Sequence, residues 1–231
     1  MRLSRKSAAM LVSLTFAIAL SARAANAAPR AATLAPPVDP ARLAQQLTPL
    51  SQQLELEIDP LADRWNGSLK TELRVHQRLS RLSLALTGPL PSRVELSDAR
   101  GNVELLWAVR GDRVLIETRR ELKPGRAILA IAFDGEWGAN GRGLQRTGEG
   151  RAARVRAMLG GSEAARVFPC WPGDPATRWQ LLVHTPAHWQ VQARGLLPAA
   201  HEVQGRWHTT ALKSRTALRA SALTLEVTPA R

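Results

Sequence analysis

Between Gln53 and Phe133 apolar residues occupy every second position in one run after another. Leu54, Leu56 and Ile58 alternate with Glu55, Glu57 and Asp59, and Leu69, Thr71, Leu73 and Val75 flank Lys70, Glu72 and Arg74. Leu82, Leu84 and Leu86 follow, then Val94 and Leu96, then Leu105, Trp107 and Val109. Val114, Ile116 and Thr118 come next, and Ala127, Leu129, Ile131 and Phe133 close the series. A period of two sends one side chain to a core and the next to water, the mark of a half-buried strand. Turn signals stand between the runs: Asp59-Pro60, Asn66-Gly67, Gly88-Pro89, Arg100-Gly101-Asn102, Arg110-Gly111-Asp112, Pro124-Gly125 and Asp134-Gly135. Strands at about ten-residue spacing predict an all-β chain, folded as a large antiparallel β-sandwich. No long helical pattern interrupts them, which argues against a βαβ fold.

The N-terminus has a different character. Arg2, Arg5 and Lys6 precede an apolar run from Ala8 to Leu20, and Ala25-Asn26-Ala27 offers the small-x-small pattern of a cleavage site. Residues 1–27 are therefore expected to be a signal peptide, cut after Ala27, with the mature chain periplasmic or secreted. The run is short for a transmembrane span, so no stable membrane anchor is expected after cleavage. Residues 28–50 read as an Ala/Pro-rich linker leading to a short helix. Asp39-Pro40 supplies the N-cap and first helical position, Leu43 and Leu47 share a face, and Pro49 is expected to end the element. One domain is expected over residues 51–231.

The formal charge is +13, but apart from the Arg119-Arg120 pair Arg is scattered singly along the strands, and Lys is confined to Lys6, Lys70, Lys123 and Lys213. No basic run or aromatic–basic interleaving occurs, so the pattern does not point to nucleic acid. The single cysteine, Cys170, excludes an internal disulfide and sits among prolines with no adjacent His, as an inert buried thiol would.

Catalytic constellations are hard to place. His184 and His188 have the i, i+4 spacing of H-E-x-x-H, but Thr185 stands where the general-base Glu belongs and Pro186 opposes a helix. Only a helix puts such a pair on one face, so no zinc site is expected here. The alternation Trp179, Leu181, Val183 instead makes His184 an outward strand residue. No G-x-S-x-G elbow occurs. The glycines at 138, 141, 143, 148 and 150 lack phosphate-loop spacing and read as a flexible loop. No cofactor is implied.

The stretch Ala164-Ala165-Arg166-Val167-Phe168-Pro169-Cys170-Trp171-Pro172-Gly173-Asp174-Pro175 resembles the A-R-x-x-F-P-C-[FW]-D-E-P signature of the aminopeptidase N family of zinc metallopeptidases. Trp179-Gln180-Leu181-Leu182-Val183-His184-Thr185-Pro186-Ala187-His188-Trp189 is similar to the strand that follows it there. The resemblance spans roughly residues 51–227 and implies that family's saddle-like N-terminal β-domain. It assigns structural roles to Arg166, Phe168, Pro169, Cys170, Trp171, Asp174 and Pro175, with Arg166 and Asp174 as candidates for an ion pair. It also implies that Trp171, Trp179 and Trp189 are core residues.

In the family this domain lends a T-Q-x-E segment to the substrate's amino terminus. Aligned on Arg166, Leu159 replaces the Gln and Gly161 replaces the Glu. An ammonium group leaving water needs carboxylate or carbonyl oxygens, and these side chains offer neither. The family's zinc helix should follow the domain, and the sequence stops at Arg231. The expectation is an exported, non-catalytic sandwich that binds or scaffolds a protein or peptide partner. The alternative is an accessory half of a split zinc aminopeptidase, with the catalytic chain encoded separately. A domain parted from its neighbour would expose a once-buried patch, and the Trp-rich segment 171–189 is a candidate for it.

Overall fold

Leu34 opens the computed structural model, which describes residues 34–160 and 162–230. The expected signal peptide and the start of the linker lie outside these residues. Leu34 is buried, and Ser83 Oγ donates to the Val38 carbonyl at 3.4 Å, so the end of the linker lies against the domain. Asp39 caps helix α1 (Pro40–Gln46), its Oδ1 accepting from the amides of Ala41 at 2.8 Å and Arg42 at 3.0 Å. The helix ends three residues before Pro49. That proline lies inside the first strand, at a register shift between Pro49 and Ser51 that removes the need for its missing N–H.

Fifteen strands are found among the described residues. They are β1 (Leu47–Glu57), β2 (Arg64–Val75), β3 (Leu79–Ala85), β4 (Leu90–Asp98), β5 (Gly101–Asn102), β6 (Leu105–Arg110), β7 (Arg113–Leu122) and β8 (Gly125–Glu136). The remainder are β9 (Leu144–Thr147), β10 (Arg154–Met158), β11 (Arg178–Pro186), β12 (Trp189–Arg194), β13 (Leu197–Gln204), β14 (Trp207–Lys213) and β15 (Thr224–Pro229). An eight-stranded sheet has the order β13-β14-β11-β1-β2-β8-β4-β5. A four-stranded sheet runs β12-β15-β10-β9 and a three-stranded one β3-β7-β6. One continuous core takes residues from all three: Leu56, Leu73 and Phe133 from the large sheet, Val155 and Val227 from the four-stranded one, Leu84 and Ile116 from the three-stranded one.

The chain is mostly β, as the alternation predicts, but the large sheet is mixed. β1 and β11 pair in parallel, from Ser51 opposite Arg178 to Glu57 opposite His184. Only a tight hairpin forces antiparallel pairing, and β2 to β10, which contribute to all three sheets, separate these strands.

Two expected turns are strand interior. Asn66-Gly67 pairs with Asp134 and Phe133, and Gly135 pairs with Trp65. These glycines meet a demand for space rather than for a turn. A Cβ on Gly67 would lie 2.7 Å from the Glu55 carbonyl oxygen, and one on Gly135 would lie 2.1 Å from the Trp65 ring. The Arg110-Gly111-Asp112 signal does form a two-residue hairpin between β6 and β7, with Gly111 at φ 59°, where a β-carbon is costly. The glycine-rich stretch is more ordered than a flexible loop. It contains β9 and a 3-10 turn at Gly150–Ala152, and the Arg146 guanidinium lies over the Trp137 ring at 5.3 Å. No helix among the described residues is long and apolar enough to cross a membrane.

Filling the Gly135 gap is the sharpest test of this packing. Gly135→Ala is expected to lower the unfolding free energy by about 1–3 kcal/mol, the range for overpacking a dense core. Urea denaturation followed by tryptophan fluorescence reads it, and an unchanged midpoint would contradict the Trp65 contact.

Candidate functional site

Two regions collect the residues that could carry function: the segment from Leu159 to Pro175, and the outer face of the large sheet. In the first, a 3-10 turn at Ala164–Arg166 leads into an extended stretch at the border of two sheets. Ala85 and Cys170 exchange two backbone hydrogen bonds, each 2.8 Å, and the Thr87 amide donates to the Ala165 carbonyl at 2.8 Å. The segment is thus stitched to the end of β3. Gly88 is needed where it passes, because a Cβ there would lie 2.6 Å from the Arg166 carbonyl oxygen. Phe168 is 1% exposed and packs edge-on against Trp179, with ring centroids 5.6 Å apart. Trp171 is buried and its Nε1–H donates to Thr71 Oγ1 on β2 at 3.3 Å. Trp171, Pro172 and Pro175, with Pro40, Leu43 and Pro49, line a shallow apolar groove of about 110 Å³.

Arg166 and Asp174 do not pair. The Arg166 Nε faces the Glu163 carboxylate at 3.4 Å without hydrogen-bond geometry. Asp174 adopts φ 47° and its carboxylate accepts from the amides of Ala220 at 2.8 Å and Ser221 at 3.2 Å. There it satisfies the open N–H groups of the 3-10 turn Ala220–Ala222, the duty of an N-terminal cap. Leu159 turns into the core, 4% exposed. Gly161 lies outside the described residues. The candidate exposed tryptophan patch is absent from 171–189: Trp171, Trp179 and Trp189 are each at most 4% exposed, as core residues should be. Trp65 joins them at 2%.

Burial drives the Cys170 thiol far above the usual range, and the Asp174 carboxylate adds to the effect. Its Sγ lies 3.3 Å from the Phe168 carbonyl oxygen. A protonated thiol so placed is no nucleophile.

On the outer face the sheet assembles a group that no local sequence pattern shows. His184 lies between Glu55 and Thr209, with Nε2 2.9 Å from Glu55 Oε1 and Nδ1 2.8 Å from Thr209 Oγ1. In neutral imidazole the Nε2–H donates to the carboxylate and the Thr209 hydroxyl donates to Nδ1. The hydrogen bond from His184 holds the Glu55 carboxyl below its ordinary range against the opposing effect of burial. Hydroxyl, imidazole and carboxylate are the parts of a nucleophilic triad. Among the described residues the neighbouring backbone amides of β1, β11 and β14 face one another along the ladders and do not form a receptor for an oxyanion. Its chemistry is to tie three strands together. Glu55 and His184 are 129 residues apart, and only the parallel register joins them.

His184 is on β11 and His188 in the turn after it, not on a helix. Among the described residues no group of three or more His, Cys, Asp or Glu is placed to hold a metal ion.

Comparison with solved structures places this architecture. The chain has the fold of part of an M1 zinc metallopeptidase. A two-domain M1 zinc metallopeptidase mutant bound to L-arginine matches with TM-score 0.67 and 21% identity, over 80% of this chain and 43% of that one. The M1 zinc metallopeptidase from Deinococcus radiodurans matches with TM-score 0.64, 21% identity and the same coverages. A mutant from that organism bound to a Tyr-Ser-Ala substrate gives TM-score 0.65 and 20% identity. The chain therefore spans less than half the length of these M1 structures. No family model matches the sequence, and no curated protein matches it.

Two outcomes test the M1-like segment and the face above it. The Cys170 thiol, half-buried and held protonated, is expected to react with a disulfide reagent far more slowly than a free cysteine near neutral pH, and reaction of the native protein at the rate of an exposed cysteine would contradict the raised pKa. The Glu55 carboxyl titrates lower when folded, so its stabilisation is present above about pH 4.5 and lost as pH falls through the lowered value. Glu55→Gln should remove that acid sensitivity at a cost of under about 1 kcal/mol near neutral pH, read from urea midpoints between neutral and acid pH.

Proposed function

We propose that this chain is an exported β-domain that binds a protein or peptide partner and does not cleave peptides by itself. The observation that carries the reading is the unequal coverage, 80% of this chain against 43% of the M1 structures. The activity of the whole peptidase is then not assigned to this part. The sequence supports it, with no H-E-x-x-H and with Leu159 at the aligned substrate-anchor position. Burial of Leu159 leaves no polar group there for an ammonium ion.

An extended partner has a place to dock. β13 forms an edge of the large sheet and all eight of its residues are exposed. After the irregularity between Pro198 and Ala200, the run Ala200–Gln204 holds no Pro or Lys to blunt the edge. A segment adding there gains main-chain hydrogen bonds, and Val203, 62% exposed, offers an apolar contact. A separately encoded zinc peptidase chain is one such partner and would make this chain the accessory half of a two-part enzyme.

The test uses the mature protein. With zinc present it is expected to show no chelator-sensitive hydrolysis of aminoacyl nitroanilides, and such activity in the pure protein would overturn the reading. Cross-linked capture from the native periplasm is expected to recover a specific partner that Val203→Lys loses. Recovery of an H-E-x-x-H chain would identify the two-part peptidase.

A further inference from the structure

The register of the large sheet aligns side chains in rows across its outer face. Lys70 on β2 stands opposite Gln53 on β1, Gln53 opposite Gln180 on β11, and Gln180 opposite Lys213 on β14. In the adjacent row Glu72 stands opposite Ser51, and Ser51 opposite Arg178. These residues line one polar cleft of about 360 Å³. Strands about 4.8 Å apart set the two lysine backbones about 14 Å from each other. Their four-carbon stems let both ammonium groups lean over the glutamines from opposite sides.

The charges in this cleft are not balanced. Among the described residues Lys70, Arg178 and Lys213 take part in no ion pair. The one carboxylate, Glu72, accepts from Ser51 Oγ at 3.1 Å. The Gln53 and Gln180 carboxamides are half-buried on the floor, and neither is hydrogen-bonded within the described residues. Three cations with uncommitted amide donors between them form a receptor for negative oxygens. Stacking platforms are absent: Trp179 borders the cleft, but its ring lies in the core, with Nε1 bonded to the Leu218 carbonyl. That disfavours nucleobases and sugar rings.

We propose that this cleft binds a small polyanion bearing two or more carboxylate or phosphoryl groups. Lys70 and Lys213 hold its two ends, Arg178 takes one group bidentately, and the glutamine amides bond the oxygens between them. The site lies away from the β13 edge strand's free side and does not depend on the partner reading above.

Calorimetric titration of the mature protein at low ionic strength, with citrate and with pyrophosphate in separate arms, tests it. Saturable one-to-one binding of either supports the proposal, and the better arm separates carboxylate from phosphoryl preference. Lys70→Gln with Lys213→Gln is expected to weaken binding at least about tenfold, and Arg178→Gln to do so independently. Lys123→Gln, which removes an exposed charge in the turn before β8, should leave it unchanged. Absence of saturable binding in both arms would overturn the proposal. So would equal losses with Lys123→Gln, the sign of diffuse attraction, or binding only of long acidic peptides.

Discussion

Two backbone hydrogen bonds between Ala85 and Cys170 set where the sheets meet. They fix the segment Ala164–Trp171 against the end of β3, and from that line Phe168 and Trp171 reach into the common core. A buried phenylalanine contributes about 1.5–3 kcal/mol by burial alone, more than a backbone hydrogen bond. Yet the hydrogen bonds decide the placement, since they leave the rings one direction to point. Gly88 follows from the same contact, because any side chain there would strike the Arg166 carbonyl. The M1-like signature in this chain is therefore architectural, and its cysteine and acid serve packing and capping.

A second tie works at the opposite edge. Asp98 at the end of β4 accepts from Arg120 on β7 through both carboxylate oxygens, at 2.6 and 2.9 Å, and from the Arg100 amide at 2.8 Å. The Arg120 hydrogen bonds hold the Asp98 carboxyl far below its usual range. This pair couples the large sheet to the three-stranded one. With both small sheets fastened to its inner face, the large sheet keeps its outer face open, and there the Glu55–His184–Thr209 tie and the cationic cleft stand.

Much of this was legible in the sequence. Alternation gave the strands because a period of two has no other easy reading, and the resemblance around Arg166–Trp171 identified the domain that the M1 structures share. What was hidden depends on distant partners. Asn66-Gly67 and Asp134-Gly135 carry turn composition, yet the Leu56, Phe133 and Trp65 side chains need their emptiness. The parallel pairing of β1 with β11 leaves no local trace, and neither does the His184 tie that depends on it. Asp174 instead caps the 3-10 turn at Ala220–Ala222, a partner 46 residues on that the local motif does not show.

Ala164–Trp171 is a structural part of the core rather than a mobile functional loop. Residue-resolved amide hydrogen exchange measures this directly. The Ala85, Thr87 and Cys170 amides are predicted to exchange only through global unfolding, with the same free energy as the Leu69 amide in β2. Exchange of those three through a local opening that costs several kcal/mol less would contradict it.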